Sequence, residues 1–537
     1  MSYFMTFCDP VFPLRLTTSH RLAVLFMTLL GAVSLARMLC RRKRNPSGLS
    51  LPPGPKGLPI LGNLLQMPSE RHWEVYKEWG KQYGDIIYLE VLGSPILVLN
   101  SLAPVVDLLE KAAPIFSDRQ YVPAYEMIRV TWNFVTMDYS QRWRDHRRSF
   151  HQFFHQREVQ KYRPIIEQEV HAFLGRIANN PKALLQETRY CFGGIILRIS
   201  YGVDDYEYNK SLIAHAELSV KGFSEVTLPG RFLVNQFPIM EHIPSWLPGA
   251  GWKRRLEEVT AASEVILAKP FREAKERIRS GQETEFMSVA ARLIELLPNE
   301  DDPSYASEEE LARNTALVAY FAGSDTTVTS THALFFALAT HPEVQRRAQE
   351  QIDAIVGKHR LPTPEDCSQL PYVHAIVKEV NRWHTVLPLA IPHVSSQDFE
   401  YNGYFIPKGT SVLPNAWAIM HDANTFKDPF EFRPERYLTE DGNLDASVLD
   451  PNAGQFGYGR RICPGRHLSN EALTYFVACF LAVFEIKPPK DELGNCLPME
   501  MKVNSDLLCA PEPFDCEVTP RSRAHLALVR DFVPSSN

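Results

Sequence analysis

The chain has 537 residues, 45% of them apolar and 22% charged, a composition that gives a globular protein room for a large core. A net charge of -6 excludes nucleic acid as an expected partner, because binding phosphates needs a concentrated basic surface. Nine scattered cysteines without CxxC pairs exclude a disulfide framework or a structural zinc site and fit a reducing compartment.

Residues 1–21 read as a short tail before the apolar run LAVLFMTLLGAVSLARMLC at 22–40. Nineteen residues at about 1.5 Å each approach the roughly 30 Å hydrocarbon core of a bilayer. The basic cluster RRKR at 41–44 holds the following chain on the cytosolic side by the positive-inside rule, leaving the tail lumenal. Ser34, Leu35 and Ala36 resemble a signal-peptidase site, but the charges directly behind them oppose translocation, so a retained single-pass anchor is expected. Residues 41–64, which include LPPGPKGLPILGN at 51–63, read as a basic and proline-rich hinge, since closely spaced prolines stiffen the backbone and cannot continue a helix.

From 65 to 537 no second linker or repeat interrupts the chain, so one large domain is expected, mainly α with small β-sheets. Alternating apolar runs at 85–100 and 401–413 predict hairpins, and EVQRRAQEQIDAIV (343–356) and EALTYFVACFLAVFEI (471–486) predict helices. Ser307 with the following glutamates predicts a capped start, and Pro342 a stop, for one long helix over 308–341. Its middle, AGSDTT at 322–327, is locally unfavourable for a helix, and Ala319, Ala322, Gly323 and Thr326 share one shallow face beside Asp325. That face could take a flat cofactor or small molecule, but on this motif alone close helix packing, with Thr326 bonded to its own backbone, is the favoured reading.

Other features are ambiguous alone. Glu379 and Arg382 in KEVNRW are spaced as a helical ion pair, and FRPERY at 432–437 reads as a turn. Trp143 and Arg147 lie in the basic run QRWRDHRRSFHQFFH, where His151 and His155 have zinc-ligand spacing but lack the accompanying glutamate. The stretch FGYGRRICPGR at 456–466 encloses one thiol between glycines and arginines. Its third fingerprint position is Ile462, which excludes a dinucleotide loop, and no local base activates Cys463 as a nucleophile. A thiolate ligand beside something flat and anionic explains the pattern better.

FGYGRRICPG fits the F-G-x-G-x-R-x-C-x-G signature and thereby resembles the cytochrome P450 superfamily. AGSDTT resembles that family's oxygen-activating helix segment, Glu379 and Arg382 its ExxR pair, Arg436 the third member of its buried ion cluster, and Trp143 to Arg147 its WxxxR. The anchor and hinge resemble the microsomal type, and the body is most similar to fungal secondary-metabolism members related to O-methylsterigmatocystin oxidoreductase. Tyr437 departs from the pattern, standing where many relatives have phenylalanine.

The resemblance implies the P450 fold and haem b (iron protoporphyrin IX), with Cys463 as axial ligand of the iron. Trp143, Arg147, His393 and Arg461 would bond the haem propionates, and Phe456, Gly459 and Gly465 would complete the cofactor loop. Glu379, Arg382 and Arg436 would lock the proximal side, and Asp325 and Thr326 would deliver protons during oxygen activation. Only 74 residues follow Cys463, too few for a flavin domain, so a membrane-bound NADPH-cytochrome P450 reductase is implied, docking near Arg144, Arg147 and Arg148. The implied location is the endoplasmic reticulum membrane with the catalytic body cytosolic. The implied pocket contains Tyr125, Trp132, Phe134, Phe321, Ala322, Leu387, Ile391 and Leu507, and so an apolar substrate, with a terpenoid favoured over polyketides and indoles. The implied activity is that of a monooxygenase that hydroxylates or otherwise oxidises this substrate with O2 and electrons from the reductase. A haem-thiolate isomerase or dehydratase that needs no oxygen and a noncatalytic haem-binding membrane protein are the alternatives, and the intact Asp325–Thr326 pair counts against both.

Overall fold

Residues 43–228, 230–282 and 286–530 are described by a computed structural model. The expected anchor at 22–40 lies outside them, and no described helix is long and apolar enough to cross a membrane. The first element, α1 (His72–Tyr83), leads into a hairpin of β1 (Ile86–Val91) and β2 (Ser94–Leu99). Its two-residue turn holds Leu92 and Gly93 at positive φ, the geometry that follows the right-handed twist of paired strands. The segment at 51–63 is no free-standing hinge. Tyr88 donates its N–H to the Pro53 carbonyl, Asn63 bonds Glu90 in both directions, and a Cβ on Gly54 would lie 2.1 Å from the Tyr88 oxygen. The proline-stiffened chain docks on β1, satisfying strand-edge groups that would otherwise be unpaired.

A helical body follows: α2 (Gln141–Phe154), α3 (Arg163–Asn179), α4 (Leu184–Tyr201), α5 (Tyr206–Thr227) and α6 (Gly251–Arg279). They surround α7 (Tyr305–Thr340), whose 36 residues span about 54 Å. It starts before the expected cap at Ser307. Asp302 accepts the N–H and hydroxyl of Ser304, setting the turn two residues earlier, and Ser307 spends its hydroxyl on the Ser304 carbonyl. Residues 314–339 of α7 are buried except Ala322, Gly323, Asp325 and Thr326, so the locally unfavourable stretch is also where the helix core opens.

Beyond α7 come α8 (Pro342–Ile355) and α9 (Pro371–Trp383). β3 (His393–Val394) and β6 (Ser411–Pro414) join the first hairpin in a four-stranded sheet of order β1-β2-β6-β3, with β2 and β6 parallel. Between them β4 (Phe399–Tyr401) and β5 (Tyr404–Ile406) pair across Asn402-Gly403, the dipeptide that best tolerates two positive φ angles. The helix expected through Ile486 ends earlier. α10 (Arg466–Val483) gives way to β7 (Phe484–Lys487), which pairs with β8 (Glu517–Pro520). The buried rings of Phe335, Phe476 and Phe480 bind α10 to α7, each full burial contributing roughly 2–3 kcal/mol.

Candidate active site

One cavity lies between the exposed face of α7 and the loop before α10. At its floor stands Cys463. Its N–H donates to the Phe456 carbonyl at 2.7 Å, closing the loop, and its sulfur receives backbone N–H groups of Gly465 and Arg466 at the start of α10. Burial pushes the thiol up, while those N–H groups and the guanidinium groups of Arg147 and Arg466 favour the thiolate. Phe456 and Gly465 line the cavity, but Gly459 does not. Gly459 has φ +56°, and a Cβ there would lie 2.0 Å from the Leu109 carbonyl oxygen, so this glycine lets the loop backbone close on its neighbour rather than on a ligand.

At one end of the cavity three guanidinium groups converge. Arg461 donates to the carbonyls of Ser117, Phe134 and Met137, and Arg147 donates to that of Ile462. Arg119, which the sequence reading passed over because no motif frames it, donates to Val135, Ile391 and Pro392. Burial pushes Arg461 down to about 8 and Arg119 and Arg147 down to about 10, since carbonyl dipoles do not replace a counter-charge. Arg461 stacks 4.4 Å from the Trp143 ring centre, and the buried Trp143 Nε1–H has no partner. His393 also lines the cavity, but burial keeps it neutral and its Nδ1–H donates to the Phe116 carbonyl at 2.7 Å. It therefore turns a bare Nε2 to the cavity and needs a second proton before it can donate to a carboxylate. The donor set otherwise suits a flat group that coordinates a thiolate and carries two carboxylates at one edge, and haem has that chemistry.

Behind the thiolate loop lies the ion cluster that looked like a surface pair and a turn. Glu379 and Arg382 are fully buried, with bidentate bonds of 2.8 Å, and Arg436 reaches the same carboxylate at 2.9 and 3.0 Å. The remaining Arg382 donors bond the carbonyls of Met420, Pro429 and Glu431, fixing the chain on which the cysteine loop rests. The rings of His151 and His155 lie 5.6 Å apart and tilted by 46°, and the described residues contain no metal-binding cluster.

Across from Cys463 the wall is hydrocarbon: Phe134, Phe321, Ala322, Leu387, Ile391 and Leu507, joined by Phe223 and Val220 from α5. Tyr125 and Trp132 stand one layer back. Tyr125 stacks on Phe223 and bonds Thr227, and Trp132 packs edge-on against Phe321. Thr326 donates its hydroxyl to the Ala322 carbonyl at 2.9 Å. Asp325 lines the cavity and is paired with Arg189 of α4, which also holds Glu217 of α5. Neither partner has a sequence signal, because both come from helices far away in the chain.

A helical body crossed by one long helix, with a thiolate loop opposite an acid–alcohol pair, defines a haem-thiolate protein. The chain belongs to the cytochrome P450 family, whose family model matches residues 52–518. It is 49% identical to the cytochrome P450 monooxygenase COX1 of Coprinopsis cinerea over 96% of this chain and all of that protein. It is 40% identical to COX2 of the same fungus over 97% of each chain. The tryptamine 4-monooxygenase of Psilocybe cyanescens is 36% identical over 89% of this chain and 94% of its own. The protein is a cytochrome P450 monooxygenase, an oxidoreductase of the haem class.

Proposed function

We propose that this monooxygenase hydroxylates an uncharged, apolar small molecule of fungal secondary metabolism, with a terpenoid favoured. The observation that carries this reading is the hydrocarbon wall opposite Cys463, in which Asp325, the one carboxylate among the lining residues described, already has Arg189 as its counter-ion. An amine such as tryptamine would bring an ammonium group into a site with no free carboxylate to receive it, at a cost of several kcal/mol.

Haem held by Cys463 supplies oxygen activation and insertion of one oxygen atom into a carbon–hydrogen bond. Arg119, Arg147, Arg461 and Trp143 would hold its carboxylates, and the Glu379 cluster keeps the thiolate loop rigid. Phe134, Phe223 and Phe321 orient the substrate and exclude water. The Asp325 carboxylate takes up and passes on the proton that the reaction consumes, and the Thr326 hydroxyl relays it from the helix face beside Ala322. Electrons come from a membrane-bound NADPH-dependent reductase that docks on exposed Arg144 and Arg148, joined by Arg460; Arg147 points inward and serves the cofactor side. Residues 22–40 anchor the chain in the endoplasmic reticulum membrane. Microsomes carrying the protein, fed uncharged terpenoids alongside tryptamine and analysed by mass spectrometry, test the reading. Oxygenated terpenoids are expected. Conversion of tryptamine with no terpenoid product would overturn the substrate class.

A further inference from the structure

Arg189 forms an ion pair with Asp325 and another with Glu217, the latter at 2.8 Å, so one guanidinium group serves two acids. Exposure grades across the set: the Glu217 side chain is 39% exposed, Arg189 28% and Asp325 17%. Glu217 is absent from the cavity wall, whereas Asp325 lines it. Three side chains from α5, α4 and α7 thus cross the protein from solvent to a cavity whose other side is hydrocarbon. Arg163 and Arg255 also serve two acids each, but neither set reaches this cavity, whereas the Arg189 set puts one acid on the cavity wall and the other toward solvent. The groups facing Glu217 are Arg189 from α4, and Asp325 and the buried phenol of Tyr320 from α7; Lys221, one turn along its own helix, is exposed. Burial, with the Asp325 charge, raises the Glu217 carboxyl above its ordinary value, against the opposing pull of Arg189.

We propose that Glu217 is the solvent end of a proton inlet: its carboxyl takes a proton from bulk water and passes it to the Asp325 carboxylate, while Arg189 holds the two acids together. The inference rests on the reading of Asp325 as the acid that serves the reaction. One proton enters at Glu217 for each one Asp325 gives up, no electrons move, and Arg189 keeps its own protons throughout.

The test uses the full-length, haem-loaded protein reconstituted with reductase, following NADPH-driven oxygen consumption across pH in light and heavy water. Glu217→Ala is expected to slow consumption about tenfold, at or below the low end of the contribution of a positioned acid, with a larger solvent isotope effect and loss of the pH limb that Glu217 supplies. Its reduced, CO-bound spectrum is expected to match the parent, and Glu217→Asp to keep most of the rate. Acetate is expected to restore the rate, and crystals of Glu217→Ala grown with acetate should hold it against Arg189. An unchanged rate, pH profile and isotope effect in Glu217→Ala would overturn the inlet, as would acetate that occupies the Arg189 site without rescue. Asp325→Asn separates the two readings. If it alone is slow, only the inlet fails; if it too is unchanged, the role given to Asp325 fails with it.

Discussion

Glu379 accepts bonds from two arginines and from the Arg433 N–H while wholly buried, so its charge depends on all of them. Truncating one partner leaves an uncompensated buried charge. Arg382→Ala is therefore expected to cost about 3–5 kcal/mol in denaturant unfolding and to lower the haem-to-protein ratio. Arg436→Lys should cost less, because an ammonium keeps the charge but not the paired geometry. Which residues were legible at this scale depended on motif. Cys463 and Arg461 could be read from the stretch that encloses them, and Trp143 only through the family resemblance; the structure brings all three to one cavity. Arg119, Arg189 and Glu217 could not, because their place is set by tertiary packing that leaves no periodic trace. Gly459 shows the reverse: its position in the signature suggested the cofactor, whereas its positive φ and the Leu109 carbonyl explain the residue by chain packing.

Among the elements, α7 was the most legible, since length, a stop at Pro342 and an interrupted apolar run are all properties of a local window. Its start was misread because an Asx turn at Asp302 outcompeted the serine–glutamate pattern at Ser307. The α10 boundary was misread for a related reason. A continuous apolar run fits helix or strand, and only pairing with β8 decides it. Helix α5 roofs the cavity through Val220 and Phe223 and rests on α6 at Gly222, where a Cβ would lie 2.3 Å from Val259 Cγ1. Gly222→Ala is expected to cost about 1–3 kcal/mol by overpacking and to raise KM more than it lowers kcat, because the roof shifts while the thiolate loop does not. Thermal unfolding with steady-state kinetics on any converted terpenoid checks both parts.

Across the whole molecule, buried histidines set the response to acid. Burial holds His332 and His384 down at about 4 and His421 at about 3, against an ordinary value of 6.5. Between pH 6.5 and about 4 the unfolded chain binds protons that the folded chain refuses, so stability falls as pH falls, by up to about 1.4 kcal/mol per histidine per unit. Denaturant midpoints measured across that window should drop steeply, and His384→Gln should flatten the slope. At the surface, Arg144→Glu combined with Arg148→Glu is expected to slow reduction by the reductase several-fold at low ionic strength and less at high salt, with the CO-bound spectrum unchanged. The reductase prediction presupposes a haem held by the cysteine loop, which rests on Cys463 and the cationic end of the cavity together. The most direct measurement is the reduced, CO-bound absorption spectrum of the parent and of Cys463→Ser. The parent is expected to show the long-wavelength band of thiolate-ligated haem and Cys463→Ser to lose it; the same band in both proteins would contradict the assignment.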